Sequence, residues 1–287
     1  MRAPVPVLGC RLFHVFGSTV VCAILLIGPA GSGAEVTDPF PSLAASYLVR
    51  LNGTTLWAHD PDRPLPPASL TKIMTALLAV ESGRLDEIAT VSEAAARETG
   101  TRLGLSPGDR MRVEDLLAAT MLGSANDAAR ALAEHLAGSE ERFVLVMNRR
   151  AREMGMRGSR FANATGHDHP KLKATARDLA RLAVAALANE RFSRLVAEIY
   201  GEVRTADGKR VFRLENRNEL VGRYRGAVGV KSGYTRGAGA CIVAIAQRGG
   251  DRVLLVLLNA RNRWWDAEAV MDRAFLEARR DRKGDPP

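Results

Sequence analysis

Apolar and polar residues alternate through SYLVRLNGTTLWAHD on both sides of Asn52-Gly53. A period of two marks half-buried strands, and Asn-Gly is a turn pair that tolerates positive φ, so the pattern predicts a hairpin with strands near residues 45–51 and 55–60. The proline-rich stretch DPDRPLPPA then leads into a helix expected to begin at Ser69 and to end at Gly83. From Glu114 to Gly155 the spacing is helical almost throughout: EDLLAATML, SANDAARALAEHLAG and SEERFVLVMNRRAREMG place apolar residues three and four apart, with a glycine near the ends. A further helix is expected from Thr175 to Ala188, with Thr175 and Asp178 spaced as a capping box.

Strand patterns return in YGEVRT, KRVFRLEN, AVGVKSGYT, GACIVAIAQR and RVLLVLLNA, with turn signals at Asp207-Gly208 and Gly249-Gly250-Asp251. An amphipathic helix from about Trp264 to Arg279 closes the pattern. Strands at both ends and helices between them predict an α+β fold in which one antiparallel sheet recruits strands from both ends of the chain. No internal repeat interrupts this order.

The first 34 residues differ from the rest. Arg2 and Arg11 precede the uncharged run LFHVFGSTVVCAILLIG, and small residues at Ser32 and Ala34 follow, the order of a cleavable export signal. A retained membrane anchor needs about 20 uninterrupted apolar residues; His14, Gly17 and Ser18 shorten this run, so cleavage after Ala34 is expected. Cys10 follows PVLG without the apolar stretch that lipidation requires. Residues 35–287 then form a single domain, exported to the periplasm or another extracytoplasmic part of the envelope. Its remaining cysteine, Cys241 in GACIVAIAQ, can form no internal disulfide and is expected in the core.

The 287 residues are 46% hydrophobic, ample for a packed core, and carry a formal charge of +9. Losing Arg2 and Arg11 would leave +7. Arginines scattered among acids, as in RETGTRLGLSPGDRMRVED, form no basic cluster interleaved with aromatics, so nucleic-acid binding is not expected. A basic surface outside the membrane suits an anionic polymer.

Three short stretches carry candidate chemistry. PASLTKIMTA places Ser69 and Lys72 one helical turn apart, where they read either as an N-cap with a solvent-facing lysine or as a nucleophile with its base. MLGSANDAA places Ser124 and Asn126 on a loop between two apolar helices, and VGVKSGYT places Lys231, Ser232 and Gly233 inside an apolar strand. Each alone also has a structural reading, as cap, turn residue or snorkelling lysine. His167 and His169 in GHDHP lack a third ligand at a recognisable spacing, so no metal and no cofactor is expected.

Together the motifs S-x-x-K, S-x-N and K-[ST]-G stand in the order that defines the penicillin-recognising active-site serine enzymes. The chain most resembles the low-molecular-mass penicillin-binding proteins, the D-alanyl-D-alanine carboxypeptidases, over about residues 43–276, with LSPGDRMRVEDLL, TARDLARL, NRNEL and KSGYTRGAGACIVA as supporting flanks. It departs from them in Lys-Ser-Gly where threonine is commoner, and in FANATGHDHP where Asn-Pro-x-Gly-Leu is usual. The β-rich C-terminal domain and amphipathic tail of many relatives are not expected here, which leaves membrane association open.

The resemblance implies a five-stranded antiparallel sheet with helices on both faces and a mostly helical insertion. It also implies roles. Ser69 attacks a peptide carbonyl, Lys72 takes its proton once burial and Lys231 depress the amine's pKa, and the N–H groups of Ser69 and Tyr234 form the oxyanion hole. Ser124 relays a proton to the leaving D-alanine, Asn126 holds the substrate amide, and Lys231, Ser232 and Arg217 meet the terminal carboxylate. Peptidoglycan stem peptides are the expected partners and β-lactams the expected covalent inhibitors. D,D-endopeptidase cleavage of cross-links is the alternative. A β-lactamase would need a deacylating glutamate in an E-x-x-x-N setting, which neither Glu153 nor Glu190 offers; a scaffold without catalysis would not need the reactive side chains.

Overall fold

The computed structural model describes residues 38–283. The expected export signal, with Cys10 and Cys22, lies outside the described residues. Strands β1 (Ala44–Leu51) and β2 (Thr54–His59) form the opening hairpin, with Asn52 at φ 50° and Gly53 at φ 90° making its turn. Strands β7 (Ala227–Thr235), β8 (Gly239–Arg248) and β9 (Asp251–Ala260) complete a five-stranded antiparallel sheet in the order β2-β1-β9-β8-β7. Early and late segments of the described residues meet where β1 pairs with β9.

Both faces of this sheet are covered, which is why β8 and β9 read as nearly continuous apolar runs. Ile242, Ala244, Val253, Leu255 and Leu257 face the closing helix α8 (Arg263–Lys283), which answers with Ala267, Val270, Met271, Ala274 and Phe275 at helical spacing. Their neighbours Cys241, Val243, Ile245, Leu254 and Val256 point the other way, into the helical layer. Burial pushes the Cys241 thiol up to about 11, so it stays an inert core group at neutral pH.

That layer is the long excursion between β2 and β7. It holds α1 (Lys72–Glu81), the four-residue α2 (Glu93–Ala96), α3 (Val113–Met121), α4 (Asn126–Ala137), α5 (Glu140–Glu153), α6 (Ala176–Leu187) and α7 (Glu190–Ala197). Gly138 at φ 81° ends α4 as its sequence suggests. Two small sheets flank the helices: β3 (Ile88–Thr90) with β4 (Arg110–Arg112), and β5 (Tyr200–Arg204) with β6 (Val211–Glu215).

Three expectations need correction, and four short elements are additional. The helix at Ser69 opens as a 3-10 turn over Ala68–Thr71, and α1 proper begins at Lys72. YGEVRT and KRVFRLEN do not join the main sheet; they pair only with each other. The capping box at α6 is half formed: Thr175 Oγ1 accepts from the Asp178 N–H at 3.1 Å, but Asp178 does not reach back. Its carboxylate accepts instead from the Gly158 N–H and the Ser159 hydroxyl, at 3.0 and 2.8 Å, tying the preceding loop to the helix. β3, β4, α2 and α7 are additional to the elements that the sequence predicts.

Candidate active site

Prolines at 64, 66 and 67 fix φ and remove N–H donors, and the chain begins its sharp turn at Pro67, whose φ and ψ of -88° and -7° already lie in the helical region. Ala68 takes a φ of 50°, uncommon for a residue with a Cβ, and the tight turn that follows presents Ser69 at the start of α1. Ser69 makes no capping bond there, which removes the N-cap reading. No described acceptor bonds its N–H.

Lys72 is fully buried, and its Nζ lies 3.2 Å from Ser69 Oγ, 2.6 Å from Asn126 Oδ1 and 2.6 Å from the Thr165 carbonyl oxygen. A neutral amine has two hydrogens and one lone pair. The two better acceptors take the hydrogens, and the lone pair is left for the Ser69 hydroxyl. Burial pushes the Lys72 pKa down to about 7, against the partial opposition of Glu98 and Asp127.

Ser124 sits in the left-handed region at φ 58° and aims its hydroxyl at Lys231, whose Nζ donates to Ser124 Oγ at 2.9 Å and to the Ser232 carbonyl at 3.0 Å. Lys231 is likewise buried; desolvation, then repulsion from Lys72, Arg263 and Arg217, holds its pKa well below the usual lysine value. Two such amines in one dry site cannot both keep a proton at neutral pH. Next along the chain, Asp127 accepts from the backbone N–H groups of Leu103, Gly104, Leu105 and Ala128 at 2.9 to 3.0 Å, which pins the preceding loop to the start of α4.

On the far side runs β7, an edge strand of the sheet. Ser232 Oγ donates to the Arg217 carbonyl at 2.8 Å. A Cβ on Gly233 would stand 2.8 Å from Ser69 N, closer than real side chains approach, so the glycine is what lets the strand pass over the nucleophile. Tyr234, just beyond, has an exposed side chain, so only its backbone belongs to the arrangement.

The structure therefore gathers Ser69, Lys72, Ser124, Asn126, Lys231, Ser232 and Gly233 at one point. Arg217 stands beside them through its carbonyl; its guanidinium is exposed along a cleft of about 550 Å³ that also touches Gly123, Ala125, Arg102 and Arg213. Among the described residues no cluster of three or more His, Cys, Asp or Glu could hold a metal ion. His169 Nδ1 accepts from the Lys171 N–H, and His167 lies against Asn126 and Glu98.

Two participants escaped sequence reasoning. Arg263, at the start of α8, donates from Nη1 to the Gly233 carbonyl at 3.2 Å while its buried Nε has no partner, and no described carboxylate pairs with it. Its burial lowers its pKa. Glu98 is the second, a carboxylate only 10% exposed that reaches toward His167 from beyond α2. Nothing in NARNRWW or AARETG distinguishes either from the many surface charges; only their burial does.

A serine whose hydroxyl faces a buried amine of lowered pKa, on an α+β fold with this sheet, defines an active-site serine acyl-transfer enzyme. Residues 39–262 match the family described as D-alanyl-D-alanine carboxypeptidase, and the chain belongs to that family. It is 36% identical over 276 residues to the D-alanyl-D-alanine carboxypeptidase DacF of Bacillus subtilis, an alignment that covers 91% of this chain and 70% of the relative. A D-alanyl-D-alanine endopeptidase of Pseudomonas aeruginosa is 28% identical, with 90% of this chain and 84% of that protein covered. Among solved structures, the DD-transpeptidase of Streptomyces K15 superposes with a TM-score of 0.77 at 30% identity, covering 84% of this chain and all of that one.

Proposed function

We propose that this protein is a serine D,D-carboxypeptidase that removes the terminal D-alanine from peptidoglycan stem peptides through an acyl-enzyme. The single observation that carries the reading is the 3.2 Å approach of a buried, depressed-pKa Lys72 amine to Ser69 Oγ. Lys72 takes the hydroxyl proton as Oγ adds to the penultimate carbonyl, and the Ser69 and Tyr234 N–H groups receive the oxyanion in the gap that Gly233 leaves open. The Lys72 proton then passes through Ser124 to the departing D-alanine nitrogen as the C–N bond breaks. Water adds to the ester, Lys72 again taking its proton, and Ser69 is restored with release of the shortened peptide.

The terminal carboxylate finds positive charge in Arg263, which lacks a described anionic partner, with the Lys231 amine and the Ser232 hydroxyl beside it as donors. Arrival of that anion favours a proton on Lys231 and thereby keeps Lys72 neutral, so substrate itself sets the two amines in opposite states. β-Lactams carry a carboxylate and a reactive carbonyl in the same relation and would acylate Ser69. Without a deacylating glutamate the adduct should be long-lived. Residues 1–34 would direct export, which places the enzyme where its polymer is; no described helix is long and apolar enough to cross a membrane.

The cleft beside Ser124 leaves room for a longer or branched peptide, which favours D,D-endopeptidase action as the second reading. One experiment separates them. The mature protein is incubated with a pentapeptide and with purified cross-linked muropeptide dimers, and products are resolved by mass. Loss of one D-alanine from the pentapeptide alone supports the carboxypeptidase; monomers released from dimers support the endopeptidase. Failure of a fluorescent penicillin to label the protein, or equal labelling of Ser69→Ala, would remove both.

A further inference from the structure

The amide of Asn126 is almost fully committed. Its Oδ1 accepts from Lys72, and one Nδ2 hydrogen goes to the Thr99 carbonyl at 2.6 Å. The second faces His167 Nε2 at 3.2 Å. That same ring nitrogen lies 3.1 Å from Glu98 Oε2. An imidazole nitrogen carries either a hydrogen or a lone pair in its ring plane. With a hydrogen it can serve Glu98; with a lone pair it can serve Asn126. It cannot serve both.

The surroundings hold both claimants in place. Glu98 is nearly buried and anchored by Arg130 at 2.8 Å, so its carboxylate is held beside the ring. The backbone of His167 is fixed too: its carbonyl accepts from Asn163 Nδ2 at 3.0 Å, the Gly166 N–H donates to Asn163 Oδ1 at 2.7 Å, and a Cβ on Gly166 would collide with the Ala68 carbonyl. What remains variable is the hydrogen on Nε2.

We propose that His167 is a positioning residue that controls the second amide hydrogen of Asn126. When Nε2–H is directed to Glu98, that hydrogen is available to a substrate carbonyl; when Nε2 is bare, the ring captures it and competes with substrate. The consequence for catalysis rests on the function proposed above, in which Asn126 holds the substrate amide. An imidazolium always carries Nε2–H, whereas a neutral ring can leave the nitrogen bare, so His167 favours substrate at low pH. Lys72 imposes the opposite slope.

The charged groups around the ring are few. Glu98 faces it from beyond α2, with Arg130 of α4 behind, itself also paired with Glu134 and Glu140. Lys72 of α1 lies across Asn126, and Asp127 is occupied by the 103–105 amides. Asp168, next along the loop, is turned away to Thr235 and the Gly237 N–H.

The test uses the mature protein and His167→Leu, with His167→Gln as the variant closer in volume should leucine prevent folding. The second-order rate of acylation by a fluorescent penicillin is followed between about pH 5.5 and pH 8.5, and the Asn126 side-chain amide signals are followed by NMR over the same range. The expected result is a variant-to-wild-type rate ratio that rises about fivefold with pH, the worth of one neutral hydrogen bond. In wild type the Asn126 signals shift together with the His167 ring, and in the variant they do not. A flat ratio, as a purely structural histidine would give, or Asn126 signals indifferent to the His167 titration, overturns the proposal. If wild type forms no Ser69 adduct at any pH, it is the enzymatic reading that fails, and the NMR comparison alone decides whether His167 governs Asn126.

Discussion

Lys231 and Ser124 lie 107 residues apart in the chain, yet Nζ of the one donates to Oγ of the other at 2.9 Å. The bond joins an edge strand of the sheet to a loop of the helical layer, and the φ of 58° at Ser124 is what turns the hydroxyl that way. Ser124→Gly separates the two consequences. Glycine relieves the left-handed backbone while deleting the bond to Lys231, terms of about 1 kcal/mol each and of opposite sign. Thermal unfolding should therefore move by only a few degrees, whereas acylation by penicillin should fall by at least about a hundredfold through loss of the proton relay. Equal loss of stability and activity would show that Ser124 only holds the loop.

The burial of Lys72 fixes the sign of the pH dependence. The base must be neutral, and its folded-state pKa is lowered to about 7. Acylation should thus climb with pH and level off above about 7, reaching only about a hundredth of the plateau two pH units below. Lys72→Arg, which cannot lose its proton, should be inactive throughout. Stopped-flow acylation across pH checks both.

Gly233→Ala tests the passage of β7 over the nucleophile. A methyl 2.8 Å from Ser69 N fills the space assigned to the oxyanion. Acylation should fall by about 10² to 10³, the effect of losing an oxyanion donor, with circular dichroism unchanged.

Asp127→Asn should act on stability first. The carboxylate serves four backbone N–H groups, and an amide offers one acceptor oxygen and turns an NH2 toward donors. Leaving buried donors unmatched should lower the urea unfolding free energy by about 2 kcal/mol. An unchanged midpoint would mean the 103–105 loop is held by something else.

Arg263→Leu probes the unpaired guanidinium. The KM for a peptide ending in a free carboxylate should rise about tenfold, while the C-terminal amide of the same peptide should be affected far less. Steady-state kinetics on the matched pair read the difference.

Local order was legible because it follows from spacing. The opening hairpin, the long helices and the apolar runs of β8 and β9 announced themselves through periods of two and three to four. IAT and RMR are too short to show any period, so β3 and β4 went unseen. YGEVRT and KRVFRLEN alternate as strands should, but alternation tells which face is buried and not which sheet a strand joins. The same limit hid the half-formed capping box, since Asp178 had the right spacing and found better partners in Gly158 and Ser159.

By itself the sequence determined which reactive groups are present: a serine with a lysine one turn on, a hydroxyl and an amide two residues apart, and a lysine and hydroxyl in a strand, in an order that marks one family. What only the tertiary structure decided is the electrical state of those groups and who their neighbours are. Burial lowers the pKa of Lys72 and of Lys231, folding brings Arg263 under Gly233 without a counter-ion, and Glu98 and Asn126 close on His167 from distant segments. Desolvation and approach distance are properties of packing between segments far apart in the chain, and no local pattern of residues encodes them.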